Sequence, residues 1–523
     1  MGDEASRGRG QALIAALRLL CLTTLCGGIA AAAEPRVGEF TRYDAGEYVI
    51  VTSRGAAKAQ RFVQELVKFR MTLENVLDRK AIPTSARTTI VMTDNSDWDR
   101  WIAPRRNVVG FFQHTPFTDY MALNGAYRTD DALHITFHEF THYFMSSQFA
   151  GENPPWFSEG LAEVMSHIRF TETTAVLEVP WSTMNYARKG DWIPFKRLIA
   201  VDRDDPEYRS HRLAYMFYAE SLAAVRFGLI EAPDFGAQMI RYLGQVNALV
   251  PQEQAARSSF GSDLSAIDKR IRASLLKETH RLAVIKLDMV PAFKLGAGEV
   301  LSELDAMSLL AELMLESESP TDRIRALLES LERRDPDVAR AAILTAKLAL
   351  NTGDYAAFDR AVDKAESALV QNDWESRRKL ASLLLTCGLS AGPTNARSRS
   401  QAEADVRRAL VLFRDAITRN DRDPEALWGF GTAATRLDTE SEAAERALLR
   451  ARELAPSNPD IAESLARLKL RQDQNEAALP YFKDVIRYTS DLAMRRWAAK
   501  SYVQTQQYIA DRAQMATERK NSR

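Results

Sequence analysis

With 523 residues, the chain is too long for a single hydrophobic core, so two or three domains are expected. Its 46% apolar and 27% charged residues are typical of soluble globular proteins. The net charge of −1 excludes a general electrostatic attraction to nucleic acid or to an anionic membrane.

The N-terminal residues have the pattern of a secretory signal peptide. Arginines precede the apolar run LLCLTTLCGGIAAAA, which ends in small residues before Glu34. The run is shorter than the roughly 20 residues that a membrane helix needs. We therefore expect residues 1–33 to be removed near Ala33, and the mature protein to be periplasmic or secreted, with no stable membrane span. Cys21 and Cys26 lie in this segment, so only Cys387 remains and no internal disulfide can form.

The next hundred residues alternate between strand and helix patterns. GEYVIVTSR alternates as a strand does, and AAKAQRFVQELVKFRMTLENVL has apolar residues at helical spacing without Pro or Gly. RTTIVMTD predicts a second strand, and VVGFFQHTPFTDYMALNG predicts one or two more around a turn. This order predicts an α/β lobe built on a mixed sheet.

Two helices follow. The first is predicted over 129–149 and is broken by Gly151-Glu152-Asn153. Asn153 is expected to cap the second helix, with Pro154 in its first position. From about 190 to 290 the pattern is mostly helical, and Pro and Gly residues in 291–320 predict a linker.

The C-terminal residues 321–523 contain a repeat. Pro424 and Pro459 are 35 positions apart, close to the 34-residue tetratricopeptide period, and each precedes two apolar helices joined by a polar turn. A similar unit begins at Asp335. We expect an all-α, tetratricopeptide-like solenoid of three to five helix pairs. An irregular helical bundle is the alternative.

The candidate chemistry lies in HEFTH and SEGLAE. His138 and His142 are four apart, so both imidazoles project from one helix face, as two ligands of one zinc ion do. Glu139 lies between them, where its carboxylate could take a proton from water. Glu159 follows after sixteen residues, enough for a loop and one turn of an opposing helix, and supplies the third ligand. Glu163, one turn further, could accept the second ring N–H of a ligating histidine. The alternative is a helix with two surface histidines.

HEFTH…EGLAE resembles the gluzincin metallopeptidases, the thermolysin- and aminopeptidase-like group. GFFQHTPFTDYMALNG and AYMFYAESLAAVRFG resemble a bacterial peptidase-like family often fused to tetratricopeptide repeats, and the resemblance covers roughly residues 45–230. It implies an α+β zincin-like metallopeptidase domain, placed at residues 34–290. It also implies that His138, His142 and Glu159 bind Zn²⁺ and that Glu139 is the general base.

Such enzymes also need a donor to the oxyanion of the tetrahedral intermediate. Tyr218 best matches the family's position, with Tyr215 and His211 as alternatives on the same helical face. His134 extends the face of the zinc pair, but a fourth protein ligand would close the site, so we interpret it as structural or supporting. His114 and His167 show no partner pattern and are also interpreted as structural.

The predicted function is zinc-dependent peptide hydrolysis by an exported protein whose helical repeats bind a protein partner. The aminopeptidase motif Gly-x-Met-Glu-Asn is absent, which favours an endopeptidase. The strand around Tyr120–Leu123 is expected to be a sheet edge that pairs with the substrate backbone. Two alternatives are a catalytically silent exported tetratricopeptide scaffold and a zinc amidohydrolase acting on a non-peptide substrate.

Overall fold

The computed structural model describes residues 37–521 apart from short gaps. The residues outside the description are 1–36, 78–87, 95, 97, 103–109, 116, 125–128, 149–152, 249, 288–289, 291–292, 318, 336, 391–396, 490 and 522–523. The predicted signal peptide therefore lies outside the described residues and stays a prediction. Cys387 is buried as a free thiol.

The described strands form two sheets. They are β1 (Thr41–Ala45), β2 (Tyr48–Thr52), β3 (Thr88–Thr93), β4 (Gly110–His114), β5 (Asp119–Asn124), β6 (Ile168–Phe170), β7 (Thr174–Leu177), β8 (Ala283–Lys286) and β9 (Glu299–Val300). A six-stranded mixed sheet has the order β4-β5-β3-β2-β1-β9, in which β2, β3 and β5 are parallel to one another. The strands β6, β7 and β8 form a small antiparallel sheet.

Ten helices surround these sheets in the described part of the N-terminal half. They are α1 (Ala56–Val76), α2 (Thr129–Gln148), α3 (Pro155–Ser166), α4 (Trp181–Lys189), α5 (Phe195–Leu198), α6 (Pro206–Arg209), α7 (His211–Arg226), α8 (Pro233–Asn247), α9 (Gln252–Phe260) and α10 (Leu264–Leu275). π-Helical turns lie at Trp98–Ile102 and Phe227–Glu231.

The six-stranded sheet is a middle layer. Every residue of β2 is buried, as expected of a central strand covered on both faces. Helices α1 and α2 cover one face, where Phe69 and Phe137 stack with ring centroids 4.2 Å apart. On the opposite face, the Tyr120 hydroxyl reaches Glu312 of the C-terminal half at 3.5 Å.

The C-terminal half is a tetratricopeptide-like array of antiparallel helix pairs. Its helices are α11 (Glu303–Glu316), α12 (Thr321–Arg334), α13 (Val338–Thr352), α14 (Tyr355–Ala368), α15 (Trp374–Leu389), α16 (Arg399–Arg419), α17 (Pro424–Leu437), α18 (Ser441–Leu454), α19 (Pro459–Arg471), α20 (Asn475–Tyr488) and α21 (Leu492–Asn521). Small residues allow the pairs to pack closely: a Cβ on Gly431 would lie 2.4 Å from Leu448 Cγ. The described helices make five pairs and a final long helix.

The connection between the halves differs from the predicted linker 291–320. This segment contains β9, which pairs with β1, and α11, the first helix of the array. The Pro and Ser residues before Thr321 mark the turn between α11 and α12, because such residues break helices within a domain as well as between domains.

The β4–β5 hairpin turn also contacts the helical array, since the ring centroids of Phe117 in this turn and Trp428 of α17 are 5.2 Å apart.

The start of α3 also differs from the prediction. The helix begins at Pro155, its N-cap is Pro154, and the cap makes no side-chain hydrogen bond. The predicted cap by Asn153 was therefore wrong. The reason is steric: Pro154 precedes another proline, which disfavours helical angles at Pro154 and holds it extended, at φ −53° and ψ 136°.

Candidate metal centre

The helices α2 and α3 bring three donor atoms to one point. His138 Nε2 and His142 Nε2 are 3.2 Å apart, and Glu159 Oε2 lies 3.4 Å from the first and 3.3 Å from the second. A tetrahedral zinc ion with bonds of about 2.0–2.1 Å needs donors about 3.3–3.4 Å apart. The three atoms thus form a triangle of the size of one face of that tetrahedron, and the donor set of two imidazoles and a carboxylate fits zinc.

Each histidine has a second contact at its outer nitrogen. Nδ1 of His142 lies 3.0 Å from Ser158 Oγ, and Nδ1 of His138 lies 3.4 Å from Glu163 Oε1. When the His142 Nδ1–H donates to Ser158, its Nε2 keeps the lone pair that a metal ligand requires. Glu163 lies where the sequence predicted it. Ser158 was missed, although it directly precedes Glu159.

Imidazoles and carboxylates together set the electrostatics of the centre. Burial opposes protonation of His138, yet the carboxylates of Glu159, Glu139 and Glu163 raise its pKa to about 9. Burial likewise opposes ionisation of Glu159, but the two imidazoles hold the pKa of that carboxyl well below its ordinary value. The main influences on the pKa of His138, Glu139 and Glu159 are burial and the other imidazoles and carboxylates of the centre. A bound divalent cation would add a fixed positive charge beside these carboxylates.

Glu139 has different electrostatics from Glu159. Burial raises the pKa of Glu139 above its ordinary value, and the neighbouring imidazoles offset this only in part. A carboxyl group whose pKa moves toward neutrality can both accept a proton and return it at physiological pH. This suits the predicted role of general base.

A glycine positions the helix that carries Glu159. Helix α3 lies between α2 and α7, and a Cβ on Gly160 would lie 2.4 Å from the Ser221 carbonyl oxygen of α7. Any larger residue would push α3 away from α7. The glycine of EGLAE therefore has a packing role beside the donor triangle.

Tyr208, on the short helix α6, was not predicted from the sequence. Its hydroxyl donates to Glu159 Oε1 at 2.8 Å, while Oε2 of the same carboxylate faces the two histidines. The contact orients the carboxylate. The segment DDPEYRS has no helical periodicity that could have pointed to this residue, because four residues are too few for a period.

The three candidate oxyanion donors lie on α7. The Tyr218 ring is 6.2 Å from the Tyr208 ring, and its pKa is raised by burial and by the carboxylate of Glu159. Tyr218 is therefore close to the centre. Tyr215 is 46% exposed and packs on Tyr186, with ring centroids 4.4 Å apart. The side chain of His211 lies outside the described residues.

The candidate substrate strand is corrected by the sheet order. Strand β5 pairs with both β3 and β4, so Tyr120–Leu123 is not an edge, and the edge beside it is β4. Sheet order depends on contacts between distant strands and cannot be read from one segment.

Strand β4 lies close to helix α2. A Cβ on Gly110 of β4 would be only 2.9 Å from the Ile135 side chain of α2.

The alternation of hydrogen bonds in β4 identifies its free groups. At the turn of the hairpin, Thr115 N–H donates to the Thr118 carbonyl. Opposed pairs in an antiparallel ladder alternate between hydrogen-bonded and non-hydrogen-bonded, so Gln113↔Tyr120 and Phe111↔Ala122 are hydrogen-bonded pairs and Phe112↔Met121 is not. The N–H and C=O of Phe112 therefore point away from β5. Within the described part of the chain they face the open edge of the sheet.

Comparisons with known proteins found no matching family model and no matching curated protein. Solved structures that resemble the chain are helical-repeat proteins. YrrB, a tetratricopeptide-repeat protein with an unusual peptide-binding site, is 18% identical, with a TM-score of 0.28 over 37% of this chain and 90% of that one. A thermophilic tetratricopeptide-repeat protein of Thermus thermophilus is 20% identical, with a TM-score of 0.29 over 38% and 97%. Yeast Tom70 is 14% identical, with a TM-score of 0.32 over 74% and 72%. The repeat fold of this chain is assigned from its own helix pairs.

Proposed function

We propose that the chain is an exported zinc peptidase that cleaves within polypeptides. The observation that carries the proposal is the triangle of His138 Nε2, His142 Nε2 and Glu159 Oε2, whose edges match a tetrahedral zinc site. The side chains of the two histidines are 17% and 24% exposed, and the proposal assigns the fourth position to a water molecule. Three protein ligands and an open position are typical of catalytic zinc sites.

The residues around the triangle have separate tasks. A zinc ion bound there would supply a Lewis acid that polarises a carbonyl group and lowers the pKa of a water molecule. Glu139 takes a proton from the attacking water and returns it to the leaving amine. Tyr218 donates a hydrogen bond to the oxyanion. Tyr208 and Glu163 hold Glu159 and His138 in position.

Strand β4 is proposed to hold the substrate. An extended peptide can pair with an exposed strand edge through its main chain, independently of its sequence. The outward N–H and C=O of Phe112 provide such a pair of groups, and β4 lies against the metal-bearing helix α2. Pairing along an edge does not require a free terminal amine, which supports internal cleavage.

A protein-binding scaffold without catalytic activity is the second candidate. It is favoured by the helical repeats, which form a cavity of about 400 Å³ with the β4–β5 hairpin, lined by Phe117, Trp428 and charged side chains of α11, α13 and α15. A cavity with both aromatic and charged walls can hold a segment of a protein partner. In the favoured proposal the same repeats bind a protein partner or present the substrate.

The two candidates are separated by digestion of a peptide library. The full chain is incubated with the library alone, with a chelator, and with chelator followed by added zinc. The peptidase proposal expects internal cleavage that the chelator stops and zinc restores, and expects the His138→Ala variant to be inactive. Bound zinc without peptide cleavage would instead favour an amidohydrolase of other substrates, and absence of zinc binding would favour the scaffold.

A further inference from the structure

The two helices that form the donor triangle continue into a second cluster. Helix α2 places His134 one turn before His138. Helix α3 places Glu163 one turn after Glu159, and His167 is the C-cap residue directly after this helix. Because the helices are antiparallel neighbours, these side chains meet one turn away from the triangle. One ligand atom each from His134, Glu163 and His167 lie within 4.8 Å of one another.

We propose that this second cluster is a binding site for a second divalent metal ion of the zinc class. Two imidazole nitrogens and one carboxylate oxygen are the same donor set as in the triangle, and this set prefers zinc and similar metals. The His134 and His167 rings meet edge-to-face with centroids 4.4 Å apart, so rotation of their side chains can bring both toward one ion. All three residues are partly buried, which limits competition from water.

The hydrogen bonds of the cluster leave donor atoms for the ion. The His167 Nδ1–H donates to the Glu163 main-chain oxygen at 2.9 Å, which leaves the Nε2 lone pair of that ring available. Glu163 presents Oε1 to His138, at 3.4 Å from Nδ1, and its second oxygen is left for the ion. Ser166 Oγ donates to the Glu163 main-chain oxygen at 2.8 Å and accepts from His134 Nε2–H at 3.0 Å, so the lone pair of His134 is on Nδ1.

A second ion would act on the first site through Glu163. The carboxylate would lie between the second ion and His138, so the occupancy of one site would change the basicity of a ligand of the other. This second site goes beyond the proposed peptidase site and shares with it only Glu163, which positions His138.

Metal stoichiometry tests the inference without measuring activity. The full chain is stripped with a chelator, exposed to a small excess of zinc, desalted, and analysed by elemental mass spectrometry. Wild type should hold about two zinc ions per chain. The double variants His134→Ala/His167→Ala and His138→Ala/His142→Ala should each hold about one, and His280→Asn, a buried histidine outside both clusters, should hold about two.

The possible results separate the two sites. One ion in wild type that is unaffected in His134→Ala/His167→Ala overturns the second site and leaves the peptidase proposal standing. An ion that persists in His138→Ala/His142→Ala but is lost in His134→Ala/His167→Ala supports the second site and contradicts the catalytic one. His167→Asn, a milder change, should also lose the second ion. If it keeps both ions while the double variant unfolds, the inference is wrong.

Discussion

Tyr208 and Glu159 are joined by a hydrogen bond of 2.8 Å, from the phenolic hydroxyl to the carboxylate oxygen that faces away from the two histidines. The bond fixes the plane of the carboxylate, so that Oε2 completes the donor triangle. The carboxylate of Glu159 is thus held by a residue of a separate short helix, 49 positions away.

Replacing Tyr208 with Phe should weaken zinc binding. The substitution removes the hydrogen bond to Glu159 and keeps the ring, and loss of such a supporting contact typically costs 10–100-fold in metal affinity, by rough expectation. Competition with a chromogenic chelator measures the affinity. Tyr186→Phe, at a surface ring pair, is the matched control and should bind zinc like wild type. Equal affinities of Tyr208→Phe and wild type would show that the contact does not support the metal.

Replacing Tyr218 with Phe should slow catalysis and spare binding. If its hydroxyl donates to the oxyanion, its loss should lower kcat about 10²–10³-fold with KM and zinc content unchanged. Tyr215→Phe, at an exposed position of the same helix, should change kcat little. The reverse pattern, with Tyr215→Phe inactive and Tyr218→Phe active, would assign the role to the alternative donor.

Removing the N–H of Phe112 should weaken substrate binding. The Phe112→Pro and Phe112→Ala variants both lose the ring contact with Tyr143, whose centroid lies 4.9 Å away, but only Pro loses the outward N–H. One main-chain hydrogen bond contributes about 0.5–1.5 kcal/mol, so kcat/KM of the Pro variant should lie roughly 2–15-fold below that of the Ala variant. Steady-state kinetics on one peptide measure the ratio. Equal values would argue against substrate pairing at β4.

Glu220 should make stability depend on pH. The side chain is fully buried, and burial raises its pKa to about 8, although both carboxylate oxygens accept the Ile193 N–H at 2.8 and 3.0 Å. In the unfolded chain the pKa is about 4.3. The folded state therefore holds a proton that the unfolded state releases, and stability falls as pH rises from about 4.3 through about 8.

The variant Glu220→Gln should remove this dependence. It keeps a carbonyl oxygen for the Ile193 N–H and carries no charge, so its melting temperature relative to wild type should rise between pH 5 and pH 9. Between these pH values, the free energy of unfolding of the variant should rise relative to that of wild type by on the order of 2–5 kcal/mol. Thermal melts at the two pH values measure it, and Glu253→Gln at an exposed position serves as the control. If the melting temperatures of Glu220→Gln and wild type differ by the same amount at both pH values, titration of Glu220 does not cause the pH dependence.

The site could be predicted from the sequence where its geometry is local. His138 and His142 are on one face of a helix by their spacing alone, and Glu159 and Glu163 repeat that spacing on the next helix. The repeat was visible because Pro424 and Pro459 each start a helix pair. These features depend on neighbours within a few residues.

What could not be predicted depends on contacts between distant segments. Tyr208 reaches Glu159 because α6 packs on α7, where the Tyr208 and Phe217 rings are 5.9 Å apart, and α7 in turn contacts α3. The interior position of β5 follows from its pairing with β3, about 30 residues earlier in the chain. The role of Gly160 likewise requires α7 to be in place. The spacing of residues within one helix or strand carries no information about these contacts between elements.

The Glu139→Gln variant, measured for cleavage and for zinc in the same preparation, most directly tests whether the chain is a zinc peptidase with Glu139 as its general base. Glutamine has the shape of glutamate but cannot take the proton, and Glu139 is not one of the three donors. We predict zinc content equal to wild type and cleavage of the library peptides lowered about 10²–10⁴-fold. Cleavage at the wild-type rate by a variant that retains its zinc would contradict the account.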